Sequence, residues 1–131
     1  IFAQSLKNLN IKKALIVNSE DGLDEISPYA NTNVVELSNG QIREFVLNPN
    51  DLNIKVNDFN HIIGKDPIYN AEKIKEIFKG KDTDFSIAVC LNAAAGLLAA
   101  EKSNNFKEGY QKLREHILSG KVINHISKLM K

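Results

Sequence analysis

Apolar residues along this chain follow two periods, and the switches between them mark out its elements. Phe2, Leu6 and Leu9 recur at helical spacing, which predicts a short helix from Phe2 to Leu9, its stripe toward a core and Asn10 as its stop. The apolar run Ala14-Leu15-Ile16-Val17, rich in β-branched residues, then reads as a buried strand, emptying into the turn-rich segment Asn18 to Pro28. A helix followed by a strand is half of a βαβ crossover, so the pattern predicts an earlier, parallel strand before Ile1. Val34–Ser38 and Gln41–Leu47 flank Asn39-Gly40, a two-residue hairpin signal that sets Leu37 opposite Ile42. Asn48-Pro49-Asn50-Asp51 marks a turn, and Leu52 to Ile63 carries no period.

Helices dominate the second half. Asp66-Pro67 predicts a helix start, because the carboxylate can accept from free N–H groups of the first turn and proline loses nothing at the first helical position. Ile68, Ala71, Ile74, Ile77 and Phe78 form its expected inner face, and Gly80 its stop. Asp84 to about Lys102 is apolar on most sides, hence a central helix, with Ala93, Ala94, Ala95, Ala99, Ala100 and Gly96 allowing close packing. Asn105 with Glu108 resembles a capping box opening a helix with Tyr110, Leu113 and Ile117 inward and Gly120 as its end. Lys121 to Lys131 adds an amphipathic turn or two through Ile123, Ile126 and Leu129.

Composition narrows the class. The 131 residues suffice for one domain with a real core, and a net charge of +1 gives no electrostatic case for nucleic acid or an anionic membrane. Cys90 is the single cysteine, which excludes an internal disulfide framework and fits a reducing cytoplasm. The longest apolar stretch, Ile87 to Ala100, is broken by Asn92 and Gly96 and falls short of the roughly 20 residues of a membrane span.

Asp24 and Glu25 are the candidate chemistry. They are adjacent carboxylates in a turn-prone segment at the carboxyl end of a strand, where ligands collect in open α/β sheets. Two hard oxygen donors suit Mg²⁺, which usually takes one or two carboxylates and completes its shell with water and substrate phosphates. The plain alternative is a pair of solvated loop acids. His61, His116 and His125 do not form a ligand cluster by spacing; His61 has no partner in view and His116 reads as a surface residue. Cys90 reads as a small buried hydrophobe, Asn92 as a side chain satisfying a buried backbone group, and Lys121, Lys128 and Lys131 as helix-end charge. There is no phosphate-cradling glycine loop, serine-histidine-acid arrangement or zinc-ligand spacing.

The stretch Asp21-Gly22-Leu23-Asp24-Glu25-Ile26-Ser27-Pro28 resembles the metal-binding loop of the anthranilate phosphoribosyltransferase family. The resemblance continues through Asn39-Gly40-Gln41-Ile42-Arg43-Glu44, Asp66-Pro67-Ile68-Tyr69-Asn70-Ala71, Leu91-Asn92-Ala93-Ala94-Ala95-Gly96, Phe106-Lys107-Glu108-Gly109 and Ser119-Gly120-Lys121. It implies the C-terminal part of a nucleoside phosphorylase/phosphoribosyltransferase-type α/β domain over residues 1–131, with a mixed sheet, a β-hairpin and packed helices. The helical domain, the glycine-rich phosphate loop and the anthranilate-contacting segment would lie upstream of Ile1. It further implies Mg²⁺ held by Asp24 and Glu25, 5-phosphoribosyl-1-pyrophosphate and anthranilate as substrates, tryptophan biosynthesis as the role, and a cytoplasmic homodimer when intact. No catalytic residue is assigned within these residues, so the segment alone is expected to be inactive and to associate through its open sheet edge. The sequence departs from the family in having Asn18-Ser19 after Val17 in place of His-Gly, and serine tolerates positive φ poorly. A pyrimidine nucleoside phosphorylase, a noncatalytic relative and a free-standing binding module are the alternatives. The acidic pair favours the transferase over the phosphorylase, which has no diphosphate to chelate.

Overall fold

A computed structural model describes residues 1–56 and 58–129, which form a three-stranded sheet flanked by helices. Helix α1 (Phe2–Asn8) precedes strands β1 (Lys13–Ser19), β2 (Thr32–Ser38) and β3 (Gln41–Leu47). Two single 3₁₀ turns, Pro49–Leu52 and Phe59–Ile62, lead to α2 (Pro67–Phe78), α3 (Asp84–Ala99), α4 (Phe106–Leu118) and α5 (Val122–Leu129). The expected extension of the last helix to residue 131 runs outside the described residues, as does Lys131.

The sheet order is β1-β2-β3, with both pairings antiparallel. The α/β class therefore stands, and the parallel neighbour implied by a crossover is not among the described strands. The hairpin has the expected register, Leu37 opposite Ile42. Asn39 (φ 48°) and Gly40 (φ 80°) are both left-handed, the backbone of a type I′ turn, whose twist matches that of the strands it joins.

Alternation along the strands separates two faces. Leu15 and Val17 of β1, Val34 of β2 and Phe45 and Leu47 of β3 join a core with Ile77 of α2, Cys90, Leu91 and Ala94 of α3, and Phe106, Tyr110 and Ile117 of α4. α3 is central, as its near-continuous apolar sequence predicts. Its close crossing with α4 comes from the partner helix: a Cβ on Gly109 would meet Ser103 Oγ at 3.0 Å and the Ala94 carbonyl at 3.4 Å. Gly96, expected to serve that purpose, has open space around it.

The opposite face of the sheet carries α1, and there the helical stripe behaves differently from its sequence. Ala3 and Leu37 are buried, but Phe2 is 75% and Leu9 71% exposed. Helical spacing fixes which residues share a side; what covers that side is a tertiary matter. α2 shows the same discrepancy. Of its expected inner face, Ile77 is buried and Phe78 half-buried, whereas Ile68, Ala71 and Ile74 are exposed, because the helix touches the core only along its C-terminal end.

Candidate metal-binding loop

Strand β1 runs two residues further than its apolar core, to Ser19, because the Ser19 side chain is itself buried opposite Thr32 of β2. Ser19 is extended, so its replacement of the family's glycine introduces no strain here. Positive φ falls instead on Gly22 (φ 90°), within the loop. From Ser19 the chain reverses: the Ser19 N–H donates to the Leu23 carbonyl at 3.0 Å, the Gly22 N–H donates to the Ser19 carbonyl at 3.0 Å, and the Glu20 N–H donates to the Asn31 carbonyl at 2.9 Å.

Ser27 is the hub of the loop and is fully buried. Its hydroxyl donates to the Asp21 carboxylate and accepts from the N–H groups of Tyr29 (3.0 Å) and Ala30 (3.2 Å), while its own N–H donates to Thr32 Oγ1 at 3.2 Å. Burial pushes the Asp21 carboxyl up, but hydrogen bonds from the Ser27 hydroxyl and the Leu23 N–H, with the Ser19 hydroxyl nearby, outweigh it, and its pKa lies below the ordinary value. Asn92 of α3 bridges both backbone groups of Ile26: its Oδ1 accepts from the Ile26 N–H at 2.9 Å and its Nδ2 donates to the Ile26 carbonyl at 3.1 Å. That is the expected role of Asn92, now with its partner identified.

At the far end of the loop, the Tyr29 hydroxyl donates to Asp84 Oδ2 at 3.3 Å, and the Tyr29 ring meets Phe59 edge-on at 5.8 Å. Burial, and then the neighbouring carboxylate of Asp84, push the Tyr29 phenol well above its ordinary pKa. The same Asp84 oxygen lies 2.8 Å from His61 Nδ1, so His61, read from sequence as partnerless, has a carboxylate 23 residues away. No local spacing signals that trio, since Tyr29 and Asp84 are 55 residues apart.

Asp24 and Glu25 sit immediately before this anchored segment, both exposed, next to an Ile26 that is 1% exposed. They border neither the cleft of about 630 Å³ beside Tyr29 and Pro49 nor the cleft of about 430 Å³ beside His61 and Tyr69. Among the described residues no group of three or more His, Cys, Asp or Glu side chains could hold a metal ion. The protein thus offers two carboxylate-bearing residues on a fixed loop rather than a closed cage. Such a donor set suits Mg²⁺, which retains waters and takes phosphate oxygens from its substrate.

The other candidates stay apart. His116 and His125 are exposed on separate helices. Cys90 is fully buried and its thiol pKa is raised by burial, which leaves it inert. In the 430 Å³ cleft, Lys73 and Lys81 are both paired with Glu76, at 3.1 and 3.0 Å.

The chain belongs to the glycosyl transferase family, a/b domain, whose sequence profile matches residues 1–123. Several of the proteins it is similar to are anthranilate phosphoribosyltransferases. The anthranilate phosphoribosyltransferase of Pelagibacter ubique (strain HTCC1062) is 56% identical over 129 residues, which is 98% of this chain and 39% of that protein. That of Desulfatibacillum aliphaticivorans is 40% identical over all of this chain and 39% of its own length. The crystal structure of anthranilate phosphoribosyltransferase from Thermus thermophilus superposes with a TM-score of 0.84 at 30% identity, over 96% of this chain and 37% of that one. The Saccharomyces cerevisiae enzyme in complex with PRPP and Mg gives a TM-score of 0.72 at 27% identity, over 84% of this chain and 32% of that one. The chain therefore spans about 39% of the length of the curated relatives it matches.

Proposed function

We propose that these residues are the C-terminal portion of an anthranilate phosphoribosyltransferase, and that their contribution to the reaction is the Mg²⁺-binding loop. The whole enzyme would transfer phosphoribose from 5-phosphoribosyl-1-pyrophosphate to the amine of anthranilate and release pyrophosphate, a step of tryptophan biosynthesis in the cytoplasm. The observation that carries this reading is the exposed Asp24–Glu25 pair on a loop fixed from beneath by Asn92, in a chain 56% identical to a named transferase.

Displacement at the anomeric carbon develops negative charge on the departing diphosphate. When bound, Mg²⁺ would supply the opposing charge. Asp24 and Glu25 would hold the ion against the diphosphate, directly or through water, and neither would act as general base. The loop beneath them is already ordered by Ser27 and Asn92, so little rearrangement is needed to present them. Orientation of the ribose and of anthranilate would fall to the remainder of the enzyme, which also assembles as a homodimer in this reading. In isolation the 131-residue chain would have no turnover.

The reading is tested with Mn²⁺ as a paramagnetic substitute and inorganic pyrophosphate as the leaving group. Nuclear magnetic resonance signals of residues 24 and 25 should broaden on addition of both, and the Asp24→Asn/Glu25→Gln variant should abolish the effect. Equal broadening in that variant would remove the basis for the assignment.

A further inference from the structure

Asp84, Ala88 and Asn92 recur every four residues along α3 and so form one stripe of that helix. All three take part in holding the loop. Asn92 binds the N–H and carbonyl of Ile26, its Nδ2 also donates to the Ala88 carbonyl at 3.0 Å, and Asp84 accepts from Tyr29. The two grips are three residues apart in the loop and eight apart in the helix. Between them lie Ser27 and Pro28, both buried. Asp24 and Glu25 project from the free side of the first grip, with one peptide unit between Glu25 and the residue that Asn92 clamps.

We propose that Asn92, and Asp84 acting through Tyr29, are positioning residues for the acidic pair: α3 sets where the two carboxylates stand, and so sets their affinity for a divalent cation. Asn92 suits the role because a primary amide is the side chain that can both donate and accept in one plane, matching the N–H and C=O of a single residue. Ala88 contributes only its carbonyl, which orients the amide by taking an Nδ2 hydrogen. His61 Nδ1 shares that same Asp84 oxygen with Tyr29, so the second grip draws on α3, the Phe59–Ile62 turn and the loop together. Groups that orient metal-holding side chains from behind typically change metal affinity 10- to 100-fold when removed. The inference rests on the metal-binding reading above, and it goes further in naming the residues that make the loop competent.

The test uses the 131-residue chain, Mn²⁺ with pyrophosphate, and resonance broadening at residues 24 and 25, alongside hydrogen exchange of the Ile26 amide. In Asn92→Ala, the Mn²⁺ concentration for half-maximal broadening should rise about 10-fold or more, and the Ile26 amide should lose its protection. Tyr29→Phe, which removes one hydroxyl only, should move the Mn²⁺ concentration in the same direction and serves if Asn92→Ala does not fold. Ile77→Val, which loosens the core at α2, is the control: it should lower stability while leaving the Mn²⁺ concentration where it was. Variants of Asn92 and Tyr29 that behave like Ile77→Val would overturn the proposal and leave the metal site standing. Absence of broadening at residues 24 and 25 in the unsubstituted chain would overturn the metal reading and the proposal with it.

Discussion

At the scale of single residues, the loop depends on Asp21 more than on the acidic pair beside it. Asp21 receives the Ser27 hydroxyl and, at 3.3 Å, the Leu23 N–H, and so joins the first turn of the loop to its buried hub. Its folded pKa is below the ordinary 3.8, so its contribution is fully present above that value and is lost as the pH falls through the lower, folded one. A carboxyl titration by nuclear magnetic resonance should therefore show Asp21 protonating below 3.8, with the Leu23 amide losing protection over the same interval. Titration at or above 3.8 would mean that these hydrogen bonds are not kept in solution. In sequence, Asp21 is one more residue of a turn-rich stretch. Its role arises because Ser27, six positions on, is folded back over it, and neither composition nor periodicity encodes that return.

Among the elements, the helix ends are the most legible feature, because they are decided by local backbone chemistry. Asp66 Oδ1 accepts the Tyr69 N–H at 2.9 Å as the Asp-Pro pair predicts, and Asn10, Gly80 and Gly120 take the left-handed conformation where the helices stop. The Asn105–Glu108 box is half right. Asn105 accepts the Glu108 N–H at 2.9 Å, but the Glu108 carboxylate turns to Lys112 and to the backbone and side chain of Asn104, which together hold its pKa down to about 2. The end of α3 falls earlier than its apolar run predicts, for a clear reason. The helix stops at Ala99, and the Lys102 N–H reaches back to the Leu97 carbonyl at 2.8 Å while Glu101 (φ 56°) occupies the position normally given to glycine. Nothing in a glutamate announces such a stop. Glu101→Gly should consequently stabilise the protein, by about 1 kcal/mol in urea unfolding, by relieving the left-handed side chain. A neutral or destabilising result would show that the turn relaxes in solution.

At the scale of the whole molecule, the two sheet faces differ in how they are covered. The face toward α3 and α4 carries the core, while the face bearing α1 leaves Ile1, Phe2, Ile42 and Val46 exposed, the first three around a hollow of about 300 Å³. Both β1 and β3 are sheet edges among the described strands. Exposed apolar surface beside open strand edges favours association. Sedimentation should accordingly show the chain self-associating as its concentration rises, and Phe2→Lys with Val46→Lys should weaken that association. A strictly monomeric chain at high concentration would contradict it. No helix among the described residues is long and apolar enough to cross a membrane, so that surface is not part of a helical span.

Local chemistry along the chain is enough to specify the hairpin, the capped starts of α2 and α4, the glycine stops, the central place of α3 and the acidic pair at the end of β1. Each of these is settled by residues within a turn or two of one another, through backbone propensity, capping or periodicity. Packing alone determines which apolar stripes are covered, that His61 has Asp84 as its partner, and that Asn92 and Asp84 hold the loop from α3 through Ile26 and Tyr29. These pairings join residues 23 to 66 positions apart, and such contacts are set by how the packed elements meet rather than by any local pattern.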